Sequence, residues 1–482
     1  MTSSSQSDFS SRGRVALWAQ RNSWRLPRAV RRAAKELMIR GELARADDGL
    51  IDDWAKPLVP YDSEAEPSAP DEPPSIPTGA LLSSAERHVP SDCVHCLIVT
   101  PVLDAGGIDE FVAFLARRLP ALAFRVTVMC ANTTSPSYVG QLSETLQKEG
   151  TTVLVTSPID GCQWLRANRP DVISAHDPPM WILEAAADAR IPVVETLHGI
   201  PTPISTDWKH ESRRSKFITS FVAVSDFVRR QYLAGNPSFP GHAITTIPNA
   251  FNDTHRPLGD RSRARAWLGL KEEFLFLTLG RHTVQKNSYG LVDAFAEVAR
   301  INPNVHLLIA GRLDDVMYTR QVCVLRDKLP SRARIHLRHS FANPSTLLAA
   351  ADSFVLNSFF EGWSLACMEA LSAGLPVVIS EVGGAREQVG TDGSRGFVVA
   401  NPLGSPEKAN WETAGLMRFR PQPNKSELVC AMNAIVAQRH EWSAIRCRLS
   451  DSFNEQFNAN SCAKRHAEVL LHATLPVCST KN

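Results

Sequence analysis

Short apolar runs recur along the chain in two series, each run separated from the next by helical or loop sequence. The first series holds CLIVT (Cys96 to Thr100), RVTVMCA, TTVLVT, DVISAHD and PVVETLHG. The second begins with FLFLTLG (Phe274 to Gly280) and continues through HLLIAG, RIHLR, SFVLN, PVVIS and FVVA. Runs this brief, apolar throughout and rich in β-branched residues suit strands buried on both faces of a parallel sheet. Alternation with helical sequence, as in EFVAFLARRL after the first run, is the pattern of a doubly wound α/β domain, and it occurs twice. Two such domains facing each other leave a cleft, and open parallel sheets bind ligands at the carboxyl ends of their strands.

One strand-turn-helix-strand passage concentrates the chemistry: FFEGWSLACMEALSAGLPVVIS, from Phe359 to Ser380. Gly362 breaks the chain, and Leu365, Met368, Leu371 and Leu375 recur at helical spacing, which predicts a helix from about Ser364 to Ala373, ended by Gly374. Glu369 lies along the apolar stripe, where an ionised carboxylate is costly unless hydrogen bonds are donated to it. Glu361 stands at the helix mouth. Alone, the one acid complements a helix dipole and the other points sideways into water. In this context the N–H groups of Gly362, Trp363, Ser364 and Leu365 face a crevice suited to an anion, and the acids supply acceptors for sugar or ribose hydroxyls.

Length and composition set the surroundings. At 482 residues, 44% of them hydrophobic, the chain exceeds what one core serves, so two globular domains and a tail are expected. A net charge of +2 points away from nucleic acid. Ten cysteines without repeated spacing read as reduced thiols of a cytosolic protein, and no apolar run is long enough for a membrane span. Cys93 and Cys96 form a lone CxxC with no second pair, which disfavours a zinc or redox site. From Arg12 to Arg45 ten basic residues face only Glu36 and Glu42, and from Asp47 to Glu72 nine acids face only Lys56, before a proline-rich PDEPPSIP. This reads as a charge-segregated arm and linker, disordered in part. Its segment RAVRRAAKELMIRGELAR either lies as a basic amphipathic helix on an anionic membrane or is a solvated helix packed on its own protein.

Other polar residues converge on strand ends. Arg281 and Lys286 follow FLFLTLG, where two cations can neutralise a diphosphate, and no D-x-D pair is present to hold a metal for that purpose. Gly106 and Gly107 allow a tight turn before a helix but are not the G-x-G-x-x-G of dinucleotide-binding folds. His176 and His198 each end a strand, and at least one is expected to touch substrate.

GRHTVQKN, followed by SFFEGWSLACMEALSAGLPVVISEVGGAREQVG with its E-x7-E pair, resembles the nucleotide-sugar domain of family-4-type retaining glycosyltransferases (glycosyl transferases group 1) with a GT-B fold. GGIDEF, VVETLHG, FVAVSDFVRR and TTIPNAFN are similar to the acceptor-side domain in the same order, so the likeness runs from about Cys96 to Leu471. It implies an arm and linker over 1–90, an acceptor-side Rossmann-like domain over 91–252, a nucleotide-sugar-binding domain over 253–450, and a C-terminal helix over 451–475 returning to the first domain.

By this resemblance Arg281 and Lys286 bind the donor diphosphate and Glu369 the ribose hydroxyls. Glu361 and the N–H groups through Leu365 hold the donor sugar and phosphate, His198 the sugar near the reacting carbon, and Gly106 and Gly107 the phosphate side of the cleft. The catalytic set is then His198, Glu361, Arg281 and Lys286, with no cofactor and no metal. The partners implied are a nucleotide-sugar donor and a carbohydrate or lipid-linked acceptor, at a cytoplasmic location, peripheral on the inner membrane face through the arm. Retention would follow a front-face route in which the leaving phosphate accepts the acceptor's proton. Three departures stand out: Asn287 where many relatives have Gly, AGRLDD without a second Gly, and an extra loop from Pro402 to Lys425. Two rivals are a sugar-nucleotide epimerase, which needs a catalytic acid and base but no acceptor, and a silent binding scaffold, which has no need of an intact charged set.

Overall fold

The computed structural model describes residues 49–59, 93–104, 106–131, 140–201, 206–250 and 260–475. The basic part of the arm, from Arg12 to Arg45, lies outside them. Two all-parallel sheets form. In the first, β1 (Val94–Thr100), β2 (Phe124–Cys130), β3 (Thr152–Val155), β4 (Val172–Ala175), β5 (Val193–Leu197), β6 (Ser220–Ala223) and β7 (Ile244–Thr246) lie in the order β3-β2-β1-β4-β5-β6-β7. In the second, β8 (Phe274–Leu279), β9 (Val305–Ala310), β10 (Ile335–Arg338), β11 (Ser353–Leu356), β12 (Val377–Ser380) and β13 (Gly396–Val399) lie in the order β10-β9-β8-β11-β12-β13. This is the expected pair of doubly wound layers. Leu97, Ile98 and Val99 in β1, and Leu275, Phe276 and Leu277 in β8, are wholly buried, as central strands covered on both faces require.

Each sheet grows outward from its first strand, then returns to that strand's other side. The reversal falls between β1 and β4 in one sheet and between β8 and β11 in the other. At such a point neighbouring connections leave in opposite directions and open a crevice. Gly106 and Gly107 follow β1, His176 follows β4, Arg281 to Lys286 follow β8, and Glu361 follows β11.

The helix Arg446–Gln456 packs on Leu365–Ser372, where Ser450 donates to the Ser372 carbonyl at 2.5 Å. After a bend at Phe457 the helix Ala459–Thr474 lies on the first domain. Its Cys462, Ala463, Ala467 and Leu470 share a core with Ile98, Phe111 and Val222, while Arg118 donates to Asn460 at 2.7 Å and Arg465 to the Thr246 carbonyl at 2.6 Å. The chain thus crosses back to the first domain at its end.

A second crossing comes from the arm. Residues 49–59 pack on the second domain: Asp52 pairs in parallel with Arg338 on edge strand β10, and its N–H donates to the Leu337 carbonyl at 3.1 Å. Ile51 and Leu58 are buried, and Trp54 stacks on Trp267, at 5.8 Å, and meets Phe341 at a tilt, at 4.9 Å. Part of the arm is therefore attached to the edge of the second sheet. The extra loop is also anchored: Asn287, Gln422, Asn357 and Asn424 form a buried amide network, with Asn287 to Gln422 at 2.9 and 2.8 Å. Asn287 sits at φ +54°, a left-handed position that suits Gly and that Asn tolerates best among the rest. Cys93 and Cys96 are free thiols, the latter on β1 and pushed up to about 12 by burial. Among the described residues no helix is long and apolar enough to cross a membrane.

Candidate functional site

Behind β8 the chain makes a single 3-10 turn, Val284–Lys286, that brings the side chain of Lys286 back over Gly280. Its ammonium donates to Glu361 at 2.7 Å, and both side chains are nearly buried, 15% and 10% exposed. Glu361 also accepts from Ser358 at 2.7 Å, and Gln285 lies 3.4 Å from its other oxygen. Gln285 further donates to the Phe360 carbonyl at 3.0 Å, which ties the β8 loop to the β11 loop. Arg281 is half exposed and pairs with Asp314 at 3.1 Å, and Asp314 is shared with Arg312 at 2.6 Å. Both cations are thus present at the switch point, each already facing a carboxylate.

Ser364 caps the helix Leu365–Ser372, accepting from the Cys367 N–H at 3.2 Å. The helix is shorter by one residue at each end than its sequence suggests. Its mouth is pressed against the other domain: a Cβ on Gly362 would lie 2.0 Å from the His198 carbonyl oxygen, and one on Gly107 would lie 3.2 Å from Leu365 Cδ1. Ser225 donates to the Gly362 carbonyl at 3.3 Å, and the Asp226 N–H to Glu387 at 2.8 Å. Glycine at 107 and 362 is what lets the two switch points meet. Trp363, in contrast, turns its side chain away from the crevice, between Gly384 and Phe457, with ring centroids 5.5 Å apart. Only its backbone remains for a donor. Glu369 is half-buried; its carboxylate receives no hydrogen bond among the described residues and is pushed up to about 7, first by burial and then by Glu110 on the facing helix Gly107–Arg118.

On the first-domain side Gly106 and Gly107 open the helix Gly107–Arg118, and Asp109 in its first turn accepts from the Asp104 N–H at 3.2 Å. His198 is half-buried at the end of β5, and its Nε2 lies 2.8 Å from Nδ1 of the fully buried His176. Burial pushes His198 down to about 4 and His176 well below its ordinary value, so both rings are neutral at physiological pH. The structure therefore brings together Gly106, Gly107, His198, Glu361, Gly362, Ser364, Leu365, Arg281 and Lys286, with Glu369 further along the helix.

Four partners escaped the sequence reading: Gln285, Ser358, Glu110 and His466, the last on the C-terminal helix with its ring 5.2 Å from Phe111, which in turn packs on His198. Gln285 sits inside the quoted GRHTVQKN and Ser358 inside SFFEGW, so their spacing from Lys286 and Glu361 was a usable signal. Glu110 and His466 come from other elements and carried none. Among the described residues no group of three or more His, Cys, Asp or Glu is arranged to hold a metal ion.

The family model for glycosyl transferases group 1 matches residues 260–426, and that for Glycosyltransferase Family 4 matches residues 105–255. Glycogen synthase of Mycobacterium tuberculosis (strain ATCC 25618 / H37Rv) is 31% identical over 242 residues, 46% of this chain and 55% of that protein. The chain thus spans about half the length of that relative. Phosphatidyl-myo-inositol mannosyltransferase of Mycobacterium leprae is 26% identical over 303 residues, 60% of this chain and 74% of that protein. Among solved structures, Anabaena Alr3699/HepE in complex with UDP-glucose superposes with a TM-score of 0.64 at 19% identity, covering 78% of this chain and 99% of that one. WaaG, a glycosyltransferase involved in lipopolysaccharide biosynthesis, superposes with a TM-score of 0.56 at 15% identity, covering 78% and 99%.

Proposed function

Since the chain belongs to the family-4-type glycosyltransferases with a GT-B fold, we propose that it moves a sugar from a nucleoside-diphosphate donor to a hydroxyl of a carbohydrate or lipid-linked acceptor, with retention of anomeric configuration, in the assembly of a cell-surface polysaccharide or glycolipid. The observation that carries this reading is the meeting of the two switch points, with Lys286, Glu361 and the Leu365–Ser372 helix mouth on one side and His198 on the other. As the bond from the sugar carbon to the diphosphate breaks, its electron pair goes to the phosphate oxygen. Fixed cations and helix-end N–H groups then stabilise the leaving group more than the ground state. Lys286, whose ammonium has three donors, offsets charge on that oxygen while remaining paired with Glu361, which, hydrogen-bonded to Ser358, keeps the loop in register.

Glu361 is engaged by Lys286 and Ser358, which disfavours it as a nucleophile. The acceptor oxygen therefore forms its new bond on the face the phosphate leaves, and its proton passes to the departing phosphate oxygen. Neutral His198 contributes hydrogen bonding without placing a positive charge beside the developing oxocarbenium. The basic stretch from Arg12 to Arg45 holds the protein on the anionic inner face of the membrane, where a lipid-linked acceptor is found. The test is incubation with radiolabelled nucleotide sugars, with and without membrane extract, followed by NMR of the product's anomeric configuration. Transfer with retention supports the proposal. Conversion of the donor to another nucleotide sugar would make the protein an epimerase, and binding of donors without turnover would make it a scaffold.

A further inference from the structure

Behind His198 lies a buried cluster that the reaction scheme above does not use. His176, wholly buried at the end of β4, places Nδ1 2.8 Å from His198 Nε2, and its own Nε2 3.3 Å from the Ser174 hydroxyl. Phe111 presses on this line from the helix Gly107–Arg118, with ring centroids 5.4 Å from His198 and 6.0 Å from His176. His466 closes it from the C-terminal helix, 5.2 Å from Phe111, with its Nε2 buried and unpartnered. The titratable groups bearing on the cluster are the three histidines themselves and, through His466, Arg465.

An imidazole has two nitrogens, and in the neutral ring one donates and the other accepts. His198 spends Nε2 on His176, so only Nδ1 is left for substrate. Which of the two roles Nδ1 takes is then set by the direction of the bond to His176, and that direction continues to Ser174, whose hydroxyl serves as either donor or acceptor. We propose that His176 is a positioning residue for glycosyl transfer: through Nδ1 it fixes the ring orientation and tautomer of His198, so that His198 Nδ1 is the atom offered to the donor sugar. A hydrogen-bonded second residue behind a reacting ring has this effect elsewhere in enzymes, because it removes the rotations and tautomers that would not engage the substrate. The inference rests on the proposed function for its kinetic consequence only; the lock itself is a property of the free protein.

The experiment therefore has two independent readouts. Nitrogen-15 NMR of histidine-labelled protein, with His198 assigned through His198→Gln, should show one neutral tautomer in the wild type at pH 6.5. His176→Leu should give averaged shifts of both tautomers. His176→Asn, whose amide falls near the position of Nδ1, should restore a single form. In steady-state kinetics His176→Leu should lower kcat by about 30-fold with donor KM within about twofold, and His176→Asn should stay within about threefold of wild type. His176→Asp should hold a proton on His198 and give kcat a new acid limb near neutrality that the wild type lacks. An unchanged His198 tautomer in His176→Leu overturns the proposal. So does an equal loss of kcat in the Leu and Asn variants, which would make His176 a packing residue only. Should the Leu variant fail to fold, His176→Phe, which keeps a buried ring and removes both nitrogens, tests the same line, and an unaltered tautomer and kcat there would also overturn it. A wild type inert toward every donor would sink the glycosyl-transfer reading and leave the NMR result standing on its own.

Discussion

Glu369 offers the sharpest quantitative test of the donor site. Its carboxyl is pushed up to about 7 by burial and by Glu110 across the cleft, and it has no hydrogen-bond donor of its own among the described residues. A ribose diol supplies two donors to an ionised carboxylate, whereas the protonated acid gives up acceptor capacity to its own proton. If the nucleoside is held by the ionised form, the association constant follows the ionised fraction, and a carboxyl near 7 predicts about 30-fold weaker binding at pH 5.5 than at pH 8. A carboxyl at its ordinary value predicts a change of only about 1.1-fold over the same span. Glu369→Gln keeps the shape and one acceptor but does not titrate. The diphosphate's own protonation affects both proteins alike, so the ratio of wild-type to Glu369→Gln affinity isolates the carboxylate.

Calorimetry with the nucleoside diphosphate from pH 5.5 to 8 measures that ratio. At pH 8 the wild type should bind about tenfold more tightly than Glu369→Gln, the scale of a charged hydrogen bond against a neutral one, and Glu369→Ala should be weaker still. Toward pH 5.5 the wild-type to Glu369→Gln ratio should fall about 30-fold, leaving wild type about threefold weaker than Glu369→Gln. The linked stability effect has the opposite sign. A carboxyl raised above its unfolded value contributes stability that is full below about 4.5 and lost as pH rises through about 7. The free wild type should therefore lose about 1–2 kcal/mol relative to Glu369→Gln over that window, a figure discounted because the carboxylate is only half-buried. A wild-type to Gln affinity ratio that is constant with pH would refute the ribose assignment and leave Glu369 a bystander on its helix.

At the cationic pair, Lys286→Met should cost roughly 10² to 10³ in kcat with a modest change in donor KM, checked by steady-state kinetics with circular dichroism to confirm folding. Arg281→Met, at a half-exposed residue already shared with Asp314, should cost about tenfold, and the double variant should fall short of the product because both serve one diphosphate. Turnover should survive excess EDTA, and loss of activity that magnesium or manganese restores would overturn the metal-free reading. Removing residues 1–48 should abolish sedimentation with anionic liposomes and leave the melting temperature in place. Trp54→Ala should lower stability by about 2 kcal/mol in thermal denaturation, since it empties the stack on Trp267 and Phe341.

The strands of both sheets were legible wherever burial on two faces forces a continuous apolar run, as in FLFLTLG and PVVIS. β7 was not read as a strand because it spans only Ile244–Thr246, too short for a period to show, while β6, Ser220–Ala223, entered only as part of FVAVSDFVRR. Arg281, Lys286 and Glu361 could be placed at strand ends because topology alone puts loops there. Their pairing could not, since Lys286 and Glu361 are 75 positions apart and meet only when β8 and β11 lie side by side. Trp363 shows the same limit in reverse: its position in the motif was clear, but the direction of its side chain depends on Gly384 and Phe457. The anchor at residues 49–59 was hidden by its composition. Its acids and Pro57 mark a linker, and the apolar side chains that bind, Leu50, Ile51, Trp54, Leu58 and Val59, follow no helical or strand period.

That anchor makes the second domain discontinuous in sequence, with one edge contacted by a segment that precedes the whole of the first domain. A fragment cut from residue 260 onward would expose the rim of β10, the ring faces of Trp267 and Phe341, and the Leu268 carbonyl that accepts from the Leu58 N–H at 2.8 Å. Such a half would be prone to self-association through its bare sheet rim, and a synthetic peptide of residues 49–59 would be its natural complement, binding in trans where the intact chain binds in cis. The segment is thus a ready handle for splitting the protein into two reassembling pieces.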